Sequence, residues 1–180
     1  MSHIPLSNSL PGIQGLLSQF SETAKPLTEL AQTLLRNRES SLTPGERELI
    51  AAHVSALNEC RFCFHSHAAA ASTFLGVDVA AADRSAVQWD VLTLSPKMRA
   101  LLDIAGAVQR SGRDVTGAMV ERAKAAGAID QEIHDAVLIA AAFCMYNRYV
   151  DGLGTWSPER REDYAPMGKM LAEQGYVRPR

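Results

Sequence analysis

Residues 43–67 read TPGERELIAAHVSALNECRFCFHSH. The stretch opens like a helix and closes like a reactive site. Thr43 is placed to cap a helix, Pro44 suits its first position, and Glu46 completes a capping box. Leu49, Ile50, Val54 and Leu57 then recur on one face. A break is expected near Asn58, and a second helix runs from Arg61 until Gly76 stops it. Two consecutive helices thus meet at the cysteines, and the helical pattern of the whole chain, without strand alternation, predicts an all-α fold.

The rest of the chain keeps that pattern. Residues 11–21 and 25–37 read as short helices, and Asp78 is placed to cap another to about Val87. Ser95 and Pro96 open a helix that ends by Gly112, and DVTGAMVERAKAAG forms the next, stopped at Gly127. Asp130 is the expected cap of a long apolar helix ending at Gly152. The last helix is expected to be interrupted near Pro166. No alternation of period two persists, and no solenoid repeat is present.

The chain has 180 residues, enough for one domain spanning 1–180. Hydrophobic residues make up 47% and charged residues 21%, as in ordinary globular proteins. The net charge of −2 gives no basic footprint for nucleic acid. No apolar run is long enough to span a membrane. The N-terminal MSHIPLSNSL lacks the pattern of a signal peptide, so a cytoplasmic location is expected. In that reducing compartment three cysteines do not make a disulfide framework.

The cluster Cys60-x-x-Cys63-x-x-x-His67, with Arg61 and His65 between, admits several readings. Haem attachment requires histidine directly after the second cysteine, and Phe64 stands there. A structural zinc site needs four ligands, and the segment offers three, with His53 or Glu48 as a possible fourth. Cysteines also pack as small hydrophobes, the natural reading for Cys144 in its apolar helix. A redox couple needs two sulfurs in reach, an activated thiol and a base. Cys60 and Cys63 lie on one side of a helix, and its N-terminus favours a thiolate. His67 lies one turn beyond Cys63 on the same face, where it can serve as that base. Glu48 is a candidate to orient it, and Arg61 adds positive charge nearby.

The segment ERELIAAHVSALNECRFCFHSHAAAA resembles the core motif of the alkylhydroperoxidase D family, within the carboxymuconolactone decarboxylase superfamily. The family pattern is Glu, eleven residues, Cys-x-x-Cys, three residues, His; Glu48, Cys60, Cys63 and His67 fit every interval. The nearest resemblance is to the branch called peroxidase-related proteins. It implies an alkylhydroperoxidase D-like helical bundle, with a core at about residues 30–155 and peripheral helices at both ends. It further implies a thiol-dependent peroxidase or disulfide reductase with peroxiredoxin activity, using no metal, flavin or haem. By resemblance, Cys63 forms a sulfenic acid, Cys60 resolves it to a disulfide, and Glu48 and His67 relay the proton. The implied partners are a hydroperoxide, a dithiol or protein reductant, and further copies of the chain in a trimer or hexamer. One departure stands out: the family's best-studied type has a histidine directly before the second cysteine. Here Phe62 occupies that place, and the extra histidine is His65, expected to point away from Cys63 and His67. The competing readings are a carboxymuconolactone decarboxylase-like lyase and a non-enzymatic redox sensor or zinc-binding oligomer.

Overall fold

The computed structural model describes residues 2–79 and 94–177. Among them are eight α-helices and no strand. The helices are α1 (Gly12–Gln19), α2 (Ser21–Arg36), α3 (Pro44–Leu57), α4 (Arg61–Leu75), α5 (Pro96–Arg110), α6 (Gly117–Ala125), α7 (Asp130–Gly152) and α8 (Ala165–Gln174). The helix expected from Asp78 lies, past its first two residues, outside the described residues. Among the described residues no helix is long and apolar enough to cross a membrane.

The centre of the fold is α3. The expected capping box is present: Glu46 N donates to Thr43 Oγ1 (3.2 Å) and Thr43 N to Glu46 Oε2 (2.8 Å). The sequence pattern assigns α3 one apolar face, yet every residue from Arg47 to Ala56 is buried. Helices α2, α4, α5 and α7 all pack on it. Ala51, Ala52 and Ala56 keep its girth small enough for neighbours to approach from several sides, as a helix buried all round requires.

Other boundaries differ for local reasons. α2 begins four residues before the expected start, and Pro26 is accommodated inside it. Ile129, not Asp130, occupies the N-cap of α7; the Glu132 carboxylate accepts from the Ile129 N–H at 3.0 Å, satisfying a donor that has no partner within the helix. Pro166 does not interrupt the last helix but stands in the first turn of α8, where its missing N–H costs nothing.

The joint between α3 and α4 positions the thiols. Glu59 adopts φ 58°, a left-handed conformation normally taken by glycine. That residue turns the chain so that Glu59 N donates to Ala56 O (2.9 Å) and Cys60 N to Ser55 O (3.0 Å). Cys60 therefore closes α3 and is at once the N-cap of α4. Polar side chains brace the joint from α5 and α7: Gln109 donates to Asn58 Oδ1 (3.0 Å), Asn58 to Asn147 Oδ1 (2.8 Å) and Asn147 to Ser55 Oγ (3.0 Å). Because a left-handed non-glycine residue costs about 1–2 kcal/mol, Glu59→Gly is expected to stabilise the fold by about 1 kcal/mol after the added freedom of the unfolded chain is counted. Urea unfolding of the two proteins measures the difference, with Glu59→Val expected to shift the midpoint the other way.

Candidate functional site

The site is assembled around a carboxylate with no solvent exposure. Glu48, on α3, is fully buried. An ionised carboxylate in such a place needs several donors, and three converge on it. His67 Nδ1, from α4, donates to Oε2 at 2.7 Å. Arg36 Nη2, at the end of α2, meets Oε1 at 2.6 Å. The Tyr176 hydroxyl, beyond α8, donates to Oε1 at 2.6 Å and lies 3.3 Å from His67 Nδ1.

Burial pushes the Glu48 carboxyl up, but the facing His67, Arg36 and the Tyr176 hydroxyl outweigh it, and the group stays below the ordinary carboxylate range. Glu48 is thus an anion and accepts hydrogen bonds only. The proton it shares with His67 resides on Nδ1, leaving Nε2 as the imidazole's acceptor. Burial and the Glu48 charge push the Tyr176 phenol well up, so it remains a donor.

Tyr176 and Arg36 were not singled out by sequence reasoning. Tyr176 lies 128 positions from Glu48, and an aromatic near a terminus carries no motif. Its placement depends on Gly175, whose φ of 73° and ψ of −154° suit glycine alone. Beyond that turn, Tyr176 N donates to Gln32 Oε1 at 2.7 Å. Arg36 holds the same segment: it donates to Leu171 O at 2.9 Å, and its guanidinium stands 5.1 Å from the Tyr176 ring centre and 4.9 Å from that of Phe74.

A cavity of about 70 Å³ opens beside this network. Cys63 and His67 both border it, together with Phe62 from α4. Ile13 and Leu17 from α1, Leu27, Thr28 and Ala31 from α2, Phe143 and Tyr146 from α7, and Tyr176 form the rest of the wall. The polar tips among them are largely spoken for, since the Tyr146 hydroxyl donates to Leu27 O (2.7 Å) and that of Tyr176 to Glu48. The His67 ring stands edge-on to Phe143, centroids 4.5 Å apart. The wall is therefore apolar around one sulfur and one imidazole. Gly12, with φ 54°, lets α1 close over Phe62: a Cβ there would come within 2.2 Å of the ring.

Both cysteines carry free thiols and are buried. Cys60 packs with Phe62, Cys63, Val150 and Tyr164 in a cluster separate from the main core. Its thiol is pushed up by the hydrogen bond it shares with the Cys63 sulfur and by burial. Cys60 does not border the cavity, whereas Cys63 does.

The remaining candidates lie apart from the carboxylate. Arg61 reaches the Glu159 carbonyl. His65 faces away from His67, as its register requires, and its ring packs on Phe64 and Tyr164, centroids 4.9 and 5.1 Å away. His53 is buried beside α5, away from the cavity wall; burial pushes it down to about 4, against a backbone hydrogen bond at Leu102. Cys144 is half-buried, 3.6 Å from the Asn58 amide nitrogen. Among the described residues no three His, Cys, Asp or Glu side chains gather as metal ligands would.

The Glu48 network has a consequence for stability. Its carboxyl holds a proton less tightly folded than unfolded, so its contribution is complete above the ordinary value near 4.5 and is lost as pH falls through the lower folded value. Glu48→Gln leaves the Arg36 cation without its counter-charge and is expected to cost about 3–5 kcal/mol at neutral pH. The cost is expected to shrink below pH 4.5, measured by urea unfolding across pH.

The model of the carboxymuconolactone decarboxylase family matches residues 21–78. A search of curated proteins returned no match. Among solved structures, the chain is similar to an uncharacterized peroxidase-related protein from a Silicibacter species, with 25% identity and a TM-score of 0.74 over 86% of this chain and 78% of that one. It is also similar to a protein from Ralstonia eutropha described as an alkylhydroperoxidase AhpD core and an uncharacterized peroxidase-related protein. There the identity is 23% and the TM-score 0.78, over 93% of this chain and 96% of that one. The chain thus has the helical fold of these two structures, and its α2 to α4 segment is similar to the carboxymuconolactone decarboxylase family.

Proposed function

We propose that the protein is a thiol-dependent peroxidase that reduces small organic hydroperoxides through the Cys60/Cys63 couple. The observation that carries the reading is the shared cavity: Cys63 and His67 both border it, and the His67 proton is held on Nδ1 by buried Glu48 at 2.7 Å. That arrangement makes Nε2 a base for the Cys63 thiol. The thiolate attacks the distal peroxide oxygen and the O–O bond breaks. Cys63 becomes a sulfenic acid, and the leaving alkoxide receives the proton that His67 took. Cys60 then displaces the oxygen as water, forming the Cys60–Cys63 disulfide, and a dithiol reductant returns both thiols.

The exposure of the sulfurs supports this order. Cys63 borders the cavity and Cys60 is sealed behind it, so an incoming oxidant meets Cys63 first. The apolar wall favours an alkyl hydroperoxide over a charged substrate, because a charge there would lose its hydration without gaining a partner. A cavity of about 70 Å³ has room for about two waters, which favours a small peroxide over a folded protein's disulfide.

The reading is tested by peroxide consumption with dihydrolipoamide as reductant. Cys63→Ser is expected to abolish turnover; full turnover in that variant would overturn the mechanism. His67→Ala is expected to slow oxidation of Cys63 about 100- to 10,000-fold, the range for loss of a positioned base. Stopped-flow kinetics under single-turnover conditions measures that step.

A further inference from the structure

The proposed chemistry turns on one hydrogen bond, from His67 Nδ1 to Glu48 Oε2, and a third side chain frames both partners. The Tyr176 hydroxyl donates to Glu48 Oε1 at 2.6 Å and lies 3.3 Å from His67 Nδ1. Arg36 Nη2 meets the same Oε1 at 2.6 Å. Oε1 thus receives two donors, which fill its two lone pairs, while Oε2 faces His67. Donors on both oxygens fix the plane of the carboxylate, and that plane sets where the imidazole is held. Arg36 is shared with the Leu35 and Leu171 carbonyls (2.8 and 2.9 Å), whereas the hydroxyl has one proton to give and Glu48 receives it. The rings repeat the arrangement. Tyr176 lies nearly parallel to the imidazole (14°, centroids 6.1 Å), and Phe143 stands edge-on to it from α7 (86°, 4.5 Å).

Tyr176 reaches this place through a single turn. α8 ends at Gln174, and Gly175 turns the chain with φ 73°. The turn is seated on Gln32: Tyr176 N donates to its Oε1 at 2.7 Å, and a Cβ on Gly175 would come within 2.5 Å of that oxygen. Gln32 stands one helical turn before Arg36 on α2. One face of α2 therefore carries both the seat of Tyr176 and the second donor to Oε1.

We propose that Tyr176 is a positioning residue of this site: its hydroxyl holds the Glu48 carboxylate in the orientation that presents His67 to Cys63, and Gln32 holds Tyr176 in place. In this role the hydroxyl transfers no proton to substrate and acts through Glu48. The titratable groups facing Glu48 are Arg36 from α2, His67 from α4 and Tyr176; Arg47, beside it on α3, feels its charge. α7 turns the Phe143 ring to the pair, and α5 meets His53, further along α3. Loss of the hydroxyl removes one donor to the charged form of Glu48 and leaves the cations in place. The Glu48 carboxyl then holds its proton more tightly.

This inference rests on the peroxidase reading, and the experiment separates the two. Reduced full-length wild type, Tyr176→Phe, Gln32→Leu and the double variant are compared per folded molecule. Cys63 is alkylated with iodoacetamide without peroxide, and separately oxidised by tert-butyl hydroperoxide in single turnover. Carbon-13 NMR of labelled glutamate follows the Glu48 carboxyl across pH. Tyr176→Phe keeps the ring and the cavity wall. It is expected to slow alkylation and the limiting oxidation rate about 10- to 100-fold, a part of what loss of the whole base would cost. The half-saturating peroxide concentration is expected to stay unchanged, and the Glu48 titration to move up toward the ordinary value near 4.5. A merely structural hydroxyl would lower stability and leave these readings where they are. Gln32→Leu is expected to give a smaller fall that adds little to Tyr176→Phe, because it acts through the same hydroxyl; it carries the test should Tyr176→Phe fold poorly. Unchanged alkylation in the folded variants overturns the proposal. So does a slower reaction with an unmoved Glu48 titration, since the hydroxyl would then not act through the carboxylate. A wild type whose Cys63 is alkylated but not oxidised by the peroxide overturns the peroxidase reading itself, and the alkylation rates still decide the role of Tyr176.

Discussion

The hydrogen-bonded charge of Glu48 is the constraint on which the rest of the site depends. A carboxylate with no exposure is tolerable only where several donors meet it. Here they come from the end of α2, the middle of α4 and the segment beyond α8. One buried charge therefore fixes how those segments lie against α3. It also fixes a chemical state: with both carboxylate oxygens engaged, the His67 proton stays on Nδ1. Replacing such a network with apolar side chains of equal volume often leaves stability intact. What an apolar replacement would not supply is an oriented imidazole at the cavity wall.

The α3–α4 joint is the second constraint, and it acts through backbone geometry. Cys60 ends one helix and caps the next, so its position has little freedom. Cys63 follows one turn into α4, beside the cavity. The two thiols thus sit in different surroundings although they are three residues apart. One faces a small apolar space with an imidazole; the other faces the packed cluster around Val150 and Tyr164. That difference of environment underlies the proposed division of roles, attack at Cys63 and resolution at Cys60.

The terminal segments do more than wrap the core. α1 contributes Ile13 and Leu17 to the cavity wall and seats Gly12 over the Phe62 ring. The chain beyond α8 contributes Tyr176 to both the wall and the Glu48 network. Arg36 couples these parts, since one guanidinium bonds Glu48, bonds the Leu171 carbonyl and stands beside two aromatic rings. The site is completed by segments at both ends of the sequence, and its shape therefore follows the docking of the termini.

Much of this was legible in the residues alone. The Thr43–Glu46 capping box, the stop at Gly76 and the helical periodicity are local signals, set by hydrogen bonds within a few positions, and they appear in the fold where they were read. The intervals from Glu48 to Cys60, Cys63 and His67 are likewise short enough for two adjacent helices to present them together. The boundaries at Pro26, Ile129 and Pro166 were misread because a proline or a cap can be accommodated in more than one way. Sequence alone determined the all-α class, the motif and its register, because those depend on neighbours along the chain. Only the tertiary structure decided that α3 is buried all round and that Arg36 and Tyr176 share Glu48 with His67. The physical reason is distance along the chain: those contacts join residues 12 to 128 positions apart, and they exist only because burying apolar helix faces brings their carriers together.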